Sequence, residues 1–192
     1  MRSFALLLLL ACGPLLAAEP GARSQVELND SFKHFSGNAS LNQAAGDGHQ
    51  QTNVRMISIG DQPTTSLRVE QVRGAIALPE GLDAAARIQG PAFSQASGIS
   101  GINQSAGIGN QNINAFRMAV GVIPESLDDA VLSQSTAITS ATLGGATVDG
   151  ERVVEISDQA FSGSRGVVQL NQSAGVGNRT TNSLSIRVAD RP

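Results

Sequence analysis

Residues Phe161–Val188 read FSGSRGVVQLNQSAGVGNRTTNSLSIRV. This stretch aligns without any gap with two earlier stretches of the same length, Phe93–Val120 and Phe32–Ile59. Eight offsets are identical in all three copies, and most of them are Asn, Gln, Gly or Ala. Because these offsets carry no Asp, Glu, His, Cys or Ser, the repeat has no groups for acid–base or nucleophilic catalysis. The repeat is a building unit, and we expect no enzymatic activity.

The shared residues fall into three groups, each of which we expect to form a column if the copies stack. The predicted amide ladder comprises Asn42, Gln43, Asn53, Asn103, Gln104, Asn114, Asn171, Gln172 and Asn182. The predicted stacking aromatics are Phe32, Phe93 and Phe161. The predicted turn residues are Gly46, Gly48, Gly107, Gly109, Gly175 and Gly177.

Alternation within each copy predicts two strands, one on either side of the turn. In the third copy, Val168 and Leu170 share a face with Gln172, and Leu184 shares a face with Asn182. An amide on an apolar face is costly alone, but layers about 4.8 Å apart let each amide donate to one neighbour and accept from the other. The sequence therefore predicts an all-β fold. We expect a three-layer stacked β-solenoid, parallel and in register, with long, partly ordered linkers.

The turn between the two strands reads Ala-Gly-x-Gly-(His/Asn) in every copy. Two Gly and an Asn supply positive φ at little cost, so the chain is expected to reverse here. A phosphate-binding loop is the alternative, but no helix pattern follows and no Lys stands where a phosphate needs it. Copy one departs most from the pattern, with Asp47 in the turn and Arg55 in the apolar column of the second strand. An end layer would tolerate Arg55.

The segment 1–18 is typical of a secretory signal, with Arg2 before a short apolar run and small residues at the end. Cys12, the only cysteine, lies in a sequence close to the lipobox of bacterial lipoproteins, so lipidation there is an open alternative. If the chain is instead cleaved near Ala18, the mature protein has no cysteine for a disulfide, a metal site or thiol catalysis.

These features predict the following division of the chain. The segments are 1–18 signal peptide, 19–31 N-terminal segment, 32–59 repeat 1, 60–92 linker 1, 93–120 repeat 2, 121–160 linker 2, 161–188 repeat 3 and 189–192 C-terminal tail.

Both linkers are much longer than a return along one strand requires, so we expect partial order within them. Ser66–Leu78 predicts a strand, and Thr147–Val154 predicts a hairpin around Asp-Gly. Pro79–Asp83 and Pro124–Asp128 are near copies that predict the start of a short helix. The linkers also hold most of the acidic residues, which favours solvated connections that keep adhesive repeats apart.

The charge balance argues against nucleic acid as a partner. The formal net charge is −3, and loss of Arg2 with the signal makes it −4, whereas nucleic-acid-binding domains are usually basic. His34 and His49 occupy unlike positions of one copy without paired carboxylates, and Asp128 and Asp129 fit a solvated segment better than a cation site. We therefore expect no cofactor and no metal ion.

The motif (Leu/Ile)-Asn-Gln-(Ala/Ser)-Ala-Gly-x-Gly-(Asn/His), present three times with long linkers behind a signal peptide, resembles the Fap functional-amyloid subunits of bacterial biofilms. The resemblance implies secretion through the periplasm to the extracellular space or cell surface, self-association into fibrils, and a role in the biofilm matrix. It also implies other fibril subunits and an outer-membrane secretion pore as partners.

Three alternatives remain open. The major subunit of the family carries a Cys-x-x-Cys near its C-terminus, which this chain lacks at 188–192, so a nucleating or minor subunit fits as well as a major one. A monomeric β-solenoid that serves in cell adhesion would share the repeats but cap its ends. A lipid-anchored accessory of fibril assembly would use Cys12.

Overall fold

The computed structural model describes residues 21–61, 63, 67–74, 81–121, 134–138 and 149–189. Regular structure in these residues consists of β-strands, and no helix among them is long and apolar enough to cross a membrane. The strands are β1 Ala22–Asn29, β2 Ser36–Asp47, β3 Gln50–Ile59, β4 Val69–Arg73, β5 Leu82–Gln89, β6 Ser97–Ile108, β7 Gln111–Gly121, β8 Gln134–Ile138, β9 Arg152–Ile156, β10 Arg165–Val176 and β11 Arg179–Ala189.

Every one of these strands pairs in parallel, and nine of them form three stacked layers. Layer one contains β1, β2 and β3, layer two contains β5, β6 and β7, and layer three contains β9, β10 and β11. Equivalent strands of the layers form a first sheet (β1-β5-β9), a second sheet (β2-β6-β10) and a third sheet (β3-β7-β11). In the second sheet Asn103 lies in register with Asn42 on one side and Asn171 on the other. The predicted all-β, in-register stack of three layers is confirmed.

The turn into the second strand of each layer is held by the repeated phenylalanine. The ring of Phe93 stacks on the rings of Phe32 and Phe161, with centroids 4.7 Å and 5.4 Å apart and planes within 8° of parallel. All three residues have left-handed backbone, with φ of 59°, 54° and 60° along the chain. This conformation is unfavourable for a bulky side chain, and the ring column compensates for it. The sequence repeat signals the column but not the backbone strain.

The layers approach so closely at the glycine turn that there is no room for a side chain. Gly107 has a φ of 110°, and a Cβ on it would overlap the carbonyl oxygen of Gly175 in layer three. Gly46 stands in the same relation to Gly107. Glycine is required here both by the sign of φ and by the spacing of the backbones.

The space between the first and second sheets is mainly apolar. One cluster surrounds Ile88, Phe93 and Ile102, each at most 1 % exposed, and a second surrounds Leu82 and Ala106. A column of glutamine amides crosses this space, and the space between the second and third sheets holds two asparagine columns. The stack therefore has a mainly apolar core beside a core that is rich in amides.

The linkers contain more of the stack than the sequence predicted, and two predictions about them are wrong. Residues 81–83 are extended and not helical, since β5 begins at Leu82 and buries every second residue against the second sheet. Residues 149–154 do not form a hairpin, because β9 pairs in parallel with β5. In β5, burial of this alternating apolar face outweighs the Pro signal, whereas β9 is largely exposed and is held by its pairing with β5. Both parts of the linkers are therefore strands of the layers.

The remaining linker predictions are only partly covered. β4 (Val69–Arg73) lies within the predicted strand Ser66–Leu78 and pairs in parallel with β8. The predicted helix start at Pro124–Asp128 lies outside the described residues. The division of the chain into repeats and linkers stays a prediction.

Candidate assembly surface: amide ladders and stack ends

The asparagine of the third sheet makes one set of hydrogen bonds that every layer repeats. In layer two, Nδ2 of Asn114 donates to the backbone oxygen of Ile102 at 3.0 Å and to Oδ1 of Asn103 at 3.0 Å, both within the layer. The same nitrogen donates to Oδ1 of Asn53 in layer one at 2.9 Å. Because the amide has two N–H groups and three acceptors in range, one N–H is shared between two acceptors. Two of the acceptors lie in the amide's own layer, and one lies in the layer below.

Layers one and three reproduce the bonds made within a layer. Nδ2 of Asn53 donates to the Leu41 oxygen at 3.1 Å and to Oδ1 of Asn42 at 2.8 Å. Nδ2 of Asn182 donates to Oδ1 of Asn114 at 3.0 Å, which continues the ladder between layers. Its bonds within layer three go to Leu170 and Asn171, both at 2.9 Å.

The asparagines of the second sheet form a parallel ladder facing the third sheet. Nδ2 of Asn171 donates to Oδ1 of Asn103, and Nδ2 of Asn103 donates to Oδ1 of Asn42, both at 3.0 Å. Further bonds reach the carbonyl oxygens of Ile113 and Thr52. The two asparagine columns are thereby cross-linked into one network between the sheets.

The glutamine column lies on the opposite face of the second sheet, toward the first sheet. Nε2 of Gln172 donates to Oε1 of Gln104 at 2.7 Å, and Nε2 of Gln104 donates to Oε1 of Gln43 at 3.2 Å. Each of these amides also donates to a backbone oxygen of its own layer. The oxygens belong to Glu27, Arg87 and Glu155.

Burial of the ladder amides depends on their place in the stack. In layer two Asn103 and Gln104 are fully buried, and Asn114 is 1 % exposed. In layer one Asn42 is exposed and Asn53 is half-buried. A buried amide without partners costs about 1–3 kcal/mol. Hydrogen-bond partners therefore matter most in the middle layer, where the layers on both sides supply them.

The ladder has a direction. Among the described residues, every bond from one side-chain amide to another across layers runs from layer three to layer two or from layer two to layer one. The end at layer one therefore presents amide N–H groups, and the end at layer three presents amide oxygens. Oε1 of Gln172, at the layer-three end, has no hydrogen-bond partner in the described part of the chain.

The turn carries a fourth column in which a histidine takes the place of an asparagine. Nε2 of His49 lies 3.0 Å from the Ala45 oxygen, and Nδ1 accepts the backbone N–H of Asn110 at 3.2 Å. The tautomer with its proton on Nε2 satisfies both contacts. Nδ2 of Asn110 and Nδ2 of Asn178 make the corresponding bonds to the oxygens of Ala106 and Ala174. The His/Asn alternation of the motif therefore preserves a hydrogen bond to the backbone that recurs in each layer.

The six turn glycines all have positive φ. Those before the turn tip have φ of 103°, 110° and 115°, and those after it have φ of 65°, 64° and 67°. They are Gly46, Gly107 and Gly175, followed by Gly48, Gly109 and Gly177.

Several buried polar residues of the network were not found from the sequence. Asn112 donates to Oγ of Ser105 at 2.7 Å, and Ser105 lies 3.0 Å from Oγ of Ser173. From β4, Gln71 donates to the Asn112 oxygen at 3.4 Å. None of these types is invariant across the copies, so the repeat alone gave no signal. They join the hydrogen-bond network because they lie beside the asparagine columns.

Two arginines are held by backbone oxygens. Arg55 of layer one donates to Ser40 Oγ and to the Ala39 oxygen, and burial lowers the pKa of its guanidinium. Arg73 of β4 is buried and donates to the Gly109 oxygen, and burial together with the charge of Arg179 lowers its pKa. The misfit at Arg55 thus binds the neighbouring strand, a contact that hydrophobic patterning does not predict.

The first sheet carries the charged columns of the stack. Glu27, Arg87 and Glu155 lie in register in layers one, two and three, and Arg87 lies 3.3 Å from Glu155. Arg23 lies 3.7 Å from Asp83 in the adjacent layer. No group of three or more His, Cys, Asp or Glu side chains in the described ranges could hold a metal ion.

Parallel, in-register layers joined by directional amide ladders place this chain in the class of stacked β-solenoid proteins. Its sequence matches the model of the functional amyloid protein FapB/FapC family over residues 16–189, and the chain belongs to that family. It is accordingly a functional amyloid subunit, of a structural and not an enzymatic family. No solved structure matches the chain.

Proposed function

We propose that the chain is secreted through the periplasm and polymerises outside the cell into fibrils that support a biofilm matrix. Membership of the functional amyloid family supports self-association, and the signal-like sequence of segment 1–18 supports secretion. Passage through an outer-membrane pore and contact with other fibril subunits belong to the same proposal. The invariant amides, the phenylalanine column and the turn glycines are proposed as the elements that each layer of the fibril repeats.

The observation that carries the proposal is the unfinished state of the ladders at both ends. Oδ1 of Asn53 accepts from Asn114 of layer two. Among the described residues, Nδ2 of Asn53 donates only within layer one, because no further layer lies below it to accept. No further layer there donates to Oδ1 of Asn182. Exposed strand edges of this kind are templates for pairing with another chain. A monomeric binding module would cover them.

The direct test is assembly of the purified mature chain at micromolar concentration. We expect thioflavin-positive fibrils whose diffraction shows spacings of about 4.8 Å and 10 Å. A chain that stays monomeric under these conditions, with its fold intact by circular dichroism, would support the monomeric adhesin instead. Acylation of Cys12 in cells would support the anchored accessory.

The contribution of the ladder is tested by replacing Asn182 or Gln172 with Leu. Either change keeps a side chain of similar size at the position but removes the amide bonds to the adjacent layer. We expect slower fibril growth and lower protease resistance. Gln25→Leu is the matched control, because this exposed glutamine lies in β1, away from the amide columns. Assembly of the ladder variants at the parental rate would show that the amides are not selected for stacking.

A further inference from the structure

The two ends of the stack are chemically different, which restricts how a second copy can dock. The donors at layer one and the acceptors at layer three match each other, whereas either end presented to its own kind would face donor to donor or acceptor to acceptor. The glycine turn adds a steric direction, because a Cβ on Gly46 or Gly107 would meet the next higher layer and not the lower one. A second copy therefore fits when its layer one lies on layer three of the first.

We propose that copies of this chain join with layer one of one copy on layer three of another, in the register of the internal layers, and that facing carboxylates make this junction the step that limits growth. The proposal rests on the proposed function and adds which surfaces meet and which side chains oppose their meeting.

The register of the junction follows from the register inside the chain. In the second and third sheets, equivalent residues are 61 positions apart between layers one and two and 68 apart between layers two and three, and in the first sheet the separations are 60 and 68. Continued into a second copy, this register places Asn53 on Asn182, Gln43 on Gln172 and Ile59 on Val188. Ile59 and Val188, 76 % and 46 % exposed, cover each other.

The same register brings acids together on the first sheet. Inside the chain Arg87 separates Glu27 from Glu155, so opposite charges alternate. At the junction no arginine intervenes, and Glu155 of one copy faces Glu27 of the next. Further along each chain, just beyond the ends of β9 and β1, Asp158 faces Asp30 in the same way. Like charges at the layer spacing repel, and the junction carries two such pairs, whereas the described internal interfaces of the first sheet carry one acidic pair, Asp83 with Glu151.

One charged column at the junction has the opposite sign. Asp83 is followed in register by Glu151, whose backbone N–H donates to Asp83 Oδ1 at 3.0 Å. The incoming Arg23 lies next in this column and faces Glu151. The pair of Arg23 and Glu151 favours the docking that the acidic pairs oppose. Removing the charge of Glu151 should therefore slow elongation, whereas removing a charge from an acidic pair should speed it.

The docking surfaces are tested by disulfide trapping with the pair Ser36→Cys and Arg165→Cys, in a chain that also carries Cys12→Ser. Both positions are exposed and share the column that contains Ser97. In one chain they lie two layers apart, about 10 Å, which is beyond the reach of a disulfide. At the proposed junction they are adjacent. Oxidation of preformed fibrils should give a ladder of covalent dimers and longer chains.

The single variants are the controls for the direction of docking. Neither Ser36→Cys nor Arg165→Cys alone should cross-link, because equivalent ends do not meet. Covalent dimers from either single variant, or none from the double variant in well-formed fibrils, would overturn the proposal while leaving fibril formation established. A parent chain that forms no fibrils would instead overturn the proposed function.

The charge limitation is tested by elongation rates on preformed seeds at low salt. Glu27→Gln with Asp158→Asn removes one member of each acidic pair and leaves Glu155 with Arg87 and Asp30 with Lys33. We expect elongation to rise roughly threefold to tenfold, with the gain shrinking at high salt. Glu151→Gln removes the same kind of charge but should slow elongation. Glu70→Gln, on β4 outside the layer columns, should change little, and a uniform acceleration by all three would contradict the proposal.

Discussion

Layer two and layer one carry the same repeat but have different surroundings. Phe93 is 1 % exposed and Phe32 is 38 % exposed, although their rings stack on each other. Asn114 bonds to its own layer and to the layer below, whereas Asn53 makes the bonds within its layer and lacks the lower one. A single repeat therefore cannot bury its own side chains, and neighbouring layers must cover them. Each copy is completed by its neighbours, so an end layer needs the next chain to complete it.

The largest contrast should come from the phenylalanine column. Phe93→Ala removes a ring packed between two others inside the apolar core, and should lower the free energy of unfolding of the monomer by about 3–5 kcal/mol. Phe32→Ala removes a half-exposed ring that has one stacked neighbour, and should cost about 1–2 kcal/mol. Denaturant unfolding of freshly prepared monomer measures both. Equal costs would mean that the end layer is as well packed as the middle.

The glycine turn should show the same contrast between the middle layer and an end layer. A methyl group on Gly107 adds a backbone overlap with Gly175 to the strain of positive φ, so Gly107→Ala should cost about 3 kcal/mol or more. Gly175→Ala meets only the flexible side chain of Arg152. It should therefore cost the monomer clearly less than Gly107→Ala in denaturant unfolding. It should nevertheless stop elongation, because its methyl group points to the incoming layer.

The control for the glycine pair is Gly74→Ala, which has open space around it and should change neither stability nor growth. If Gly175→Ala elongates on parental seeds at the parental rate, the methyl group does not meet an incoming layer, and the expected difference between inner and end layers is wrong.

The amide ladder should show a smaller contrast. Asn114→Leu removes three contacts of a buried amide nitrogen and also the oxygen that accepts from Asn171 and Asn182, and should destabilise the monomer by about 2–3 kcal/mol. Asn53→Leu disturbs a half-exposed site and should cost about 1 kcal/mol. Thermal or denaturant unfolding distinguishes them. A larger cost for Asn53 would show that layer one, and not layer two, depends on the ladder.

The smallest expected difference is between isolated copies. A peptide of Phe161–Val188 should form fibrils with a shorter lag than a peptide of Phe32–Ile59, because β-branched and apolar residues fill its columns. Copy one has Arg55 and Asp47 at the equivalent positions, which make its exposed edge a poorer seed. Thioflavin kinetics in identical buffer measure the lag. Equal lags would show that the linker strands matter more than column composition.

The second and third sheets could be predicted because the repeat states their register directly. The invariant Asn and Gln give the ladder, and the glycine turn gives the reversal. The first sheet was missed, since β1, β5 and β9 share an alternating pattern but few identical residues. Within β5, the run Ala84-Ala85-Ala86 beside Pro79 and Asp83 favoured a helix start locally. Only stacking on the second sheet, which a single layer cannot provide, makes it a strand.

The direction of the ladder was also beyond reach from the sequence. An Asn or Gln column is symmetric as a pattern, and the donor and acceptor ends appear only when each amide is fixed by bonds within its own layer. The buried Ser105 and Asn112 are similar cases, because their partners lie across the space between two sheets. Sequence periodicity gives the columns, and the geometry between columns gives their chemistry.

We expect the fibril to advance by three layers for each added chain, so that repeat 1 of one chain stacks on repeat 3 of its neighbour. Lys33 is the only lysine, so growth on carbonyl-¹³C lysine labels one site per chain. Each Lys33 should then lie about 14 Å from the Lys33 of the next chain. Dipolar recoupling of fibrils by solid-state NMR should therefore show almost no ¹³C–¹³C dephasing. Strong dephasing that fits a spacing of about 4.8 Å would mean that each repeat stacks on the same repeat of its neighbour, and would contradict the account.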